Sequence, residues 1–169
     1  MGKWLDIKGP VVADTVYSDN TLVAKDVSFT LPGITFLTAD VQAMGNLSVP
    51  LIGLLENMEL AITKIGMDKG LKRMIRLEKQ NLEFRWVQNV VNSDGSTVVE
   101  GCKAFVRTMP AAIPELGVEV GSAMESESTY TVTRMQIYVG GEELLCVDRL
   151  SQILRVDGKD YMDKITKLL

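Results

Sequence analysis

Residues 31–64 read LPGITFLTADVQAMGNLSVPLIGLLENMELAITK, and the interpretation of the whole chain depends on this stretch. Two parts of it, residues 34–41 and 57–64, are rich in Ile, Leu, Thr and Val and are predicted to be β-strands. The intervening residues 42–56 contain Gly45, Pro50 and Gly53 and predict an extended inter-strand arm. Connections of this length are uncommon in compact domains unless they are functional or disordered.

The arm is too apolar either to be disordered or to be left in water. Disordered segments have low hydrophobicity, and soluble domains rarely expose large contiguous apolar patches. We therefore predict that another surface covers the apolar side chains of this region. The residues assigned to that contact are Val41, Met44, Leu47, Val49, Leu51, Ile52 and Leu54.

The composition favours one domain with a large apolar surface. The chain has 169 residues and no change in composition that would divide it, so a single domain over residues 1–169 is predicted, with residues 1–10 as an N-terminal arm. Hydrophobic residues make up 46% of the chain but aromatic residues only 6%, so most of the hydrophobicity is aliphatic. Either a large core or a subunit interface explains this, because obligate interfaces resemble a core cut in half.

The ionisable residues argue against several functions. The net charge of −4 is unfavourable for binding nucleic acid through phosphate contacts. The absence of His removes the commonest general base and a common metal ligand. Glu125 and Glu127 would lie about 7 Å apart on one strand face, a spacing most typical of a solvated surface. With no nucleophile, phosphate-binding or metal-ligand motif, we predict no enzyme activity, no catalytic residue, no cofactor and no metal site.

The cysteines and the N-terminus indicate an intracellular chain. Cys102 and Cys146 are too far apart for a zinc or redox motif, which predicts two reduced, partly buried thiols. The N-terminus lacks the features of a signal peptide, and no apolar stretch is long enough to cross a bilayer. We expect a protein that is made in the cytoplasm and has no membrane anchor.

Most of the remaining chain has the pattern of β-strands separated by turn residues. Two hairpins are predicted, and Phe84 and Trp86 of the second are assigned to the core. A long strand with a bend near Gly121 follows, and two shorter strands come after the Gly140-Gly141 turn. The predicted strands are residues 11–17 with 22–29, residues 81–92 with 97–108, and then residues 119–139, 142–147 and 152–156.

Two amphipathic helices are predicted. The first covers residues 67–77 with Asp68 as its N-cap, and the second covers residues 157–169 with Asp160 as its N-cap. The apolar stripe of the second helix consists of Tyr161, Ile165, Leu168 and Leu169. The first helix carries Lys69, Lys72, Arg73 and Arg76, which we interpret as a solvated or subunit-facing surface rather than a nucleic-acid patch.

Several segments of the chain resemble the major tail tube protein family of contractile phage tails and the related R-type bacteriocins. The matching segments span most of the chain. They are Leu31-Pro32, Gln42-Ala43-Met44-Gly45, residues 47–52 and 53–59, residues 130–135, Val139-Gly140-Gly141-Glu142, Val147-Asp148 and residues 155–160.

The resemblance implies a mainly β structure, a β-sandwich or barrel with a short amphipathic helix and a C-terminal helix. It also implies hexameric rings that stack into a hollow tube, and tail sheath, baseplate and tail-terminator proteins as partners. DNA would pass through the tube of a phage without specific binding. The protein would be assembled in the bacterial cytoplasm and become part of a virion tail or a released bacteriocin particle.

The same resemblance suggests roles for the residues singled out above. The arm would contact the neighbouring ring, and the basic residues of the first helix would face the sheath. As a hypothesis, Glu56 and Glu59 contribute to an acidic lumen, which would repel a polyanionic genome.

Two alternatives stay open on the sequence. The tube-forming protein of a type VI secretion system has a related fold and also makes hexameric rings. A monomeric β-barrel that binds a small ligand in its interior belongs to a different class.

Overall fold

A computed structural model describes residues 6–169 and consists mainly of antiparallel β-strands, as predicted from the sequence. The strands are β1 Ile7–Ser18, β2 Thr21–Lys25, β3 Ser28–Thr30, β4 Phe36–Gln42, β5 Asn46–Leu55, β6 Glu59–Ile65, β7 Gln80–Val91, β8 Thr97–Pro110, β9 Glu125–Val139, β10 Glu142–Asp148, β11 Ile153–Val156 and β12 Lys159–Asp160. The two short helices are α1 Lys69–Met74 and α2 Asp163–Thr166. The first five residues of the predicted N-terminal arm lie outside the described residues.

The strands close into a barrel through a kink between β2 and β3. The main sheet has the order β12-β11-β10-β9-β8-β7-β1-β2, and β6 joins it by pairing with β9 and β3. The segment predicted as one strand, residues 22–29, is interrupted at Asp26, which has a φ of 53°. The Asp26 N–H donates to the Asp14 carbonyl oxygen at 3.2 Å. Strand β2 pairs with β1, and β3 pairs with β6. The continuous segment β2–β3 therefore links the two ends of the strand series β6-β9-β8-β7-β1 and closes it into a barrel.

The barrel interior is filled by apolar side chains from nearly all of its strands. On β6, Leu60 and Ile62 are fully buried whereas Glu59 is exposed, so the strand has one buried and one solvated face. Phe84 of β7 is also fully buried, and its ring contacts that of Phe29 with the centroids 4.6 Å apart. Trp86 is half-buried against the same Phe29 ring. The core assignment of the aromatic residues on β7 is therefore confirmed.

Left-handed turn residues set the register of two hairpins. Asp19 and Asn20, between β1 and β2, have φ values of 48° and 67°. Gly140 and Gly141, between β9 and β10, have φ values of 58° and 85°. Two successive positive φ angles define the type I′ turn, whose twist matches that of the flanking strands.

Two sequence predictions of strand boundaries were wrong. The strand predicted from residue 119 begins at Glu125, because the chain turns at Gly121, where φ is 89°. At the other end of the chain, β1 begins at Ile7, so residues 7–10 continue an exposed strand instead of forming a separate arm.

The predicted C-terminal helix was also too long. Residues 159–160 form β12, and α2 has only four residues. Asp160 is not its N-cap, because the Asp160 carboxylate instead accepts the N–H of Met162 at 3.0 Å and that of Leu154 at 3.4 Å. Met162, which the predicted stripe omitted, is the residue that packs against the core. The predicted stripe residues Tyr161, Ile165, Leu168 and Leu169 are exposed.

Helix α1 is shorter than predicted, but its cap is confirmed. The Asp68 carboxylate accepts the N–H of Leu71 at 3.0 Å, and Leu71 and Met74 are buried beneath the helix. Gly70 allows this helix to lie directly against β2. A Cβ atom at Gly70 would lie 1.9 Å from the Val23 carbonyl oxygen.

We therefore predict that Gly70→Ala destabilises the protein by about 1–3 kcal/mol or more, because the clash involves backbone that cannot move aside. Urea denaturation would measure this loss. Gly101→Ala is the control, since no atom lies within 4 Å of its new Cβ and Gly101 sits in a strand. That substitution should be neutral or stabilise by about 0.5–1 kcal/mol. Equal stability of the two variants would contradict this account of α1.

Candidate assembly surfaces

The stretch predicted as an inter-strand arm is half of a β-hairpin. Strand β5 turns back along β4, and together they form a two-stranded sheet separate from the barrel. The turn between them is tight, because the Ala43 N–H donates to the Gly45 carbonyl oxygen at 2.8 Å. Met44 and Gly45 have positive φ angles of 52° and 113°. Residues 42–56 are therefore mostly regular strand rather than an irregular connection.

The outer half of this hairpin has one apolar and one polar face. Residues directly opposite each other on paired antiparallel strands share a face. The apolar face is formed by the pairs Val41 with Leu47 and Ala39 with Val49. The polar face is formed by the pairs Asp40 with Ser48 and Gln42 with Asn46. A hydrogen bond of 2.8 Å from the Ser48 hydroxyl to the Asp40 carboxylate lies on the polar face.

The apolar face is left open to solvent. Val41 is 48% exposed and Leu47 is 50% exposed, and Met44 at the tip is fully exposed. Of the other residues that the sequence assigned to the contact, Ile52 and Leu54 are exposed, whereas Val49 and Leu51 are half-buried. The seven residues predicted from the sequence therefore lie on one projecting element, the β4–β5 hairpin.

The base of the hairpin is held firmly against the barrel. The Arg149 guanidinium donates to the carbonyl oxygens of Leu55 at 2.9 Å and Glu56 at 3.0 Å. Gly53 has a φ of 106°, and a Cβ atom there would lie 2.8 Å from the Met162 sulfur. The hairpin therefore projects from a fixed base that includes the C-terminal turn, a contact that sequence reasoning missed because these residues are distant in sequence.

Both residues proposed for the lumen are exposed. Glu56 follows β5, and Glu59 lies on the outer face of β6. On β9, Glu127 lies opposite Thr63 and Glu125 opposite Ile65, so both share the outer face with Glu59. Only the pairing of β6 with β9 brings these three carboxylates to one face, and that pairing has no signal in the sequence.

The core side of the same strand pair carries a buried cation. Lys64 of β6 is almost completely buried, and its ammonium group lies 3.1 Å from the Asp68 carboxylate. The Leu71 N–H, together with Lys64, holds the pKa of Asp68 below its usual value. Lys64 therefore does not offset the charge of the acidic outer face.

The four basic residues of the α1 region fall into two pairs. Arg73 donates to the Ser18 carbonyl oxygen at 3.1 Å, and the Arg76 guanidinium lies 3.0 Å from the Asp19 carboxylate. These two arginines hold the β1–β2 turn against the helix. Lys69 and Lys72 are exposed, so they are the members of the set that a partner protein could reach.

The two cysteines are buried free thiols, as the sequence predicts. Burial raises the pKa of both Cys102 and Cys146, which disfavours the reactive thiolate. Beside Cys146, the Arg155 guanidinium donates to Glu143 at 3.1 Å and lowers the pKa of that carboxylate.

Across residues 6–169 no cluster of three potential metal ligands is present. The helices of that part of the chain are too short and too polar to cross a membrane.

These features define a class of protein. The barrel interior is filled by its own side chains, and an apolar hairpin projects from a fixed base; exposed apolar surfaces of this kind are typical of proteins that associate with others. Residues 12–169 match the family described as Phage tail tube protein FII. The chain therefore belongs to the phage tail tube protein family, which is a structural family and not an enzyme class. No curated protein matches the chain.

Solved structures of contractile injection systems contain similar chains. One is from the PVC sheath/tube terminator in the extended state, with a TM-score of 0.50, 13% identity and coverage of 76% of this chain and 95% of that chain. Another is from the PVC sheath-tube complex in the extended state, with a TM-score of 0.49, 14% identity and coverage of 74% and 87%. A third is from the baseplate of the anti-feeding prophage, with a TM-score of 0.47, 14% identity and coverage of 77% and 93%. At these identities, the similarity to the chain from the sheath/tube terminator structure indicates a shared fold.

The lowered pKa of Asp68 predicts a pH-dependent contribution to stability. Because the folded-state pKa is depressed, this contribution is fully present above the unfolded value near 3.8 and is lost as pH falls through the folded-state pKa. We expect Asp68→Asn to be less stable than the parent chain at pH 7, with the difference shrinking at pH values of about 3 and below. Urea denaturation of both chains at pH 7 and at about pH 3 measures this difference in the free energy of unfolding.

The matched control is Asp163→Asn, which removes the exposed pair of Asp163 with Lys167 at the same sequence spacing. Exposed pairs contribute little, so the control should show almost no pH-dependent difference. A stability difference for Asp68→Asn that stays constant between the two pH values would contradict the assigned role of Asp68.

Proposed function

We propose that the chain assembles into hexameric rings that stack into the inner tube of a contractile phage tail or a phage-tail-like bacteriocin. The tube would be the conduit for DNA or ions, assembled in the bacterial cytoplasm and carried in the finished particle. The observation that carries this proposal is the β4–β5 hairpin, whose apolar face is open in the single chain. Membership in the tail tube family supports the same role.

The hairpin is proposed to hold the next ring. Burying the exposed halves of Val41 and Leu47 would contribute about 1 kcal/mol each. This gain is modest for one subunit, but it is repeated around a ring, where linked contacts reinforce one another. A contact between unlike surfaces that does not close on itself propagates into a filament. The seven residues named for this contact are therefore proposed as the ring-stacking surface, with Val41 and Leu47 on the open apolar face of the hairpin.

The acidic outer face of β6 and β9 is proposed to line the lumen. Glu56 and Glu59 were assigned there from the sequence, and Glu125 and Glu127 share the face of Glu59. A wall of carboxylates would repel a polyanion and let it slide, without specific binding. A structure of the assembled tube that turned Glu59 away from the bore would contradict this assignment.

Partners along and at the ends of the tube are also proposed. The similar chains come from sheath-tube, terminator and baseplate structures, which supports sheath, terminator and baseplate proteins as partners here. Lys69 and Lys72 are the proposed sheath-facing residues because they are exposed. The sequence assigned Arg73 and Arg76 to the sheath contact as well. Both side chains bond to the β1–β2 turn, so their proposed role is mainly to hold that turn against the helix.

The two alternatives differ in how they fit the structure. A tube protein of a type VI secretion system would use the same kind of surfaces and remains compatible with them. A monomeric ligand-binding barrel fits less well, because Phe84, Leu60 and other core side chains occupy the barrel interior. No observation on the described residues favours that second class.

Stacking through the hairpin predicts that Val41→Ser combined with Leu47→Ser abolishes tubes while the subunit stays folded, since both side chains lie outside the barrel core. Negative-stain electron microscopy and circular dichroism together measure the two effects. The control Val41→Leu combined with Leu47→Ile keeps the apolar area and should still form tubes. Long tubes from the serine variant, or its unfolding, would contradict the proposal.

The sheath assignment predicts that Lys69→Glu combined with Lys72→Glu weakens sheath attachment and leaves bare tubes intact. Co-sedimentation of tubes with the sheath protein measures attachment. The control Lys159→Glu combined with Lys164→Glu makes the same change in net charge on exposed residues elsewhere and should leave attachment unchanged. If the α1 variant lost the tube itself, the helix would belong to a contact between subunits instead.

A further inference from the structure

The outer side of the sheet formed by β7, β8 and β9 carries two pairs of like charges. Lys103 of β8 lies directly opposite Arg85 of β7, and Arg107 of β8 lies directly opposite Arg134 of β9. All four side chains lie on the outer side, because they alternate with residues that face the core. Like charges at directly opposed positions destabilise a sheet. The free subunit therefore bears a cost here that bound anionic groups would remove.

Two of these four cations are without a partner inside the chain. Arg85 and Arg134 each lie near a carboxylate, at 2.7 and 3.5 Å. Among residues 6–169, Lys103 and Arg107 form no ion pair, and both are exposed. They are four residues apart on one strand, which separates their Cα atoms by about 13 Å. The strand thus holds two unpaired cations at a fixed spacing.

An aromatic ring lies between the two unpaired cations. Phe105 is on the same side of β8 and is 37% exposed, and its ring contacts that of Tyr138 with the centroids 5.9 Å apart. The surface is hollow on both sides of Phe105. One hollow, of about 550 Å³, is lined in part by Lys103 and Tyr138, and the other, of about 500 Å³, in part by Arg107. We call this surface, formed by Lys103, Phe105 and Arg107, the basic face.

The segment that joins β8 to β9 has the complementary features. Residues 113–119 read IPELGVE and contain no basic residue. Glu115 and Glu119 are exposed and four residues apart, so an extended chain also separates their Cα atoms by about 13 Å. Between them, Val118 is 83% exposed and Leu116 is 41% exposed. Neither glutamate forms an ion pair among residues 6–169, so this acidic segment does not pair with the basic face of its own chain.

We propose that the acidic segment of one copy binds the basic face of a second copy through side chains. The two glutamates pair with Lys103 and Arg107, and the apolar side chains between them cover Phe105. The contact joins two unlike surfaces, so it adds copies in one direction and is not a two-fold dimer. This inference rests on the proposed function, in which copies of the chain are neighbours, and it adds a salt-sensitive contact to the apolar contact of the hairpin.

The charges around the basic face favour a short protein segment over a continuous polyanion. Glu83 lies directly opposite Phe105, and Glu143 lies directly opposite Tyr138. These carboxylates divide the positive charge into separate spots and would repel a nucleic acid or an anionic membrane laid across the face. Two glutamates that are four residues apart avoid this repulsion, because each meets only one cation.

An exchange of charges between the two surfaces tests the proposal in the full chain. Glu115→Lys combined with Glu119→Lys should raise the critical concentration for tube assembly about tenfold at low salt, because like charges then meet. Lys103→Glu combined with Arg107→Glu should have an effect of the same size. The chain with all four substitutions should assemble within about threefold of the parent concentration, because the charges are complementary again.

Two controls separate this contact from effects on charge or folding. Glu78→Lys combined with Glu142→Lys makes the same change in net charge on exposed residues elsewhere and should leave assembly unchanged. Free subunits with Lys103→Glu and Arg107→Glu should be at least as stable to urea as the parent, because opposite charges replace the like-charge pairs.

The outcomes that overturn the inference differ from those that overturn the proposed function. Normal assembly of either double variant, or no rescue in the fourfold variant, would refute the contact while tubes of the parent chain still support the function. If both double variants assembled normally and only the β8 variant lost binding to phosphatidylglycerol vesicles, the basic face would belong to an anionic membrane instead. Failure of the parent chain to form rings or tubes under any condition would contradict the proposed function itself.

Site-specific crosslinking locates the contact. A photoreactive benzoylphenylalanine at position 118 should crosslink to residues 103–107 of another copy in assembled tubes. Crosslinks from position 118 that map only to other parts of the neighbouring copy would refute the proposal.

Discussion

The constraint that governs this molecule is that the outer apolar face of its hairpin, with Val41 and Leu47, lies outside the close-packed core of the barrel. Phe84, Leu60 and Ile62 are fully enclosed, and the barrel closes around them through the kink at Asp26. Close-packed interiors do not accept additional side chains without strain. We propose that a neighbouring copy covers Val41 and Leu47, and that folding of the subunit and its assembly therefore depend on different sets of apolar residues.

The hairpin can act in assembly because its base is fixed. Arg149 ties the carbonyl groups at the end of β5 to the β10–β11 turn, and Gly53 brings the strand onto Met162 near the C-terminus. A site carried by a rigid element keeps its geometry better than one on a mobile loop. The same C-terminal turn completes the core and supports the hairpin. Changes in the last residues of the chain would therefore reach the stacking surface.

Local chemistry determined which features the sequence could predict. The hairpin of β1 with β2 and the cap at Asp68 depend on neighbours along the chain, and these predictions are confirmed. Contacts between distant elements have no such local signal. The return of β5 along β4 is one example, and the bonds from Arg73 and Arg76 to the β1–β2 turn are another. Strand was also predicted for residues 119–124, before β9 begins at Glu125, because these residues have strand-forming side chains but no partner strand among residues 6–169.

That a neighbouring copy covers the apolar face of the hairpin is tested most directly by thiol labelling. The native Cys102 and Cys146 are 3% and 0% exposed and would contribute little background. In free subunits, cysteines introduced by L47C on the apolar face and by N46C on the polar face should both react rapidly with a maleimide. In assembled tubes, L47C should be protected while N46C, its immediate neighbour, stays reactive. Equal labelling of L47C before and after assembly would contradict the account.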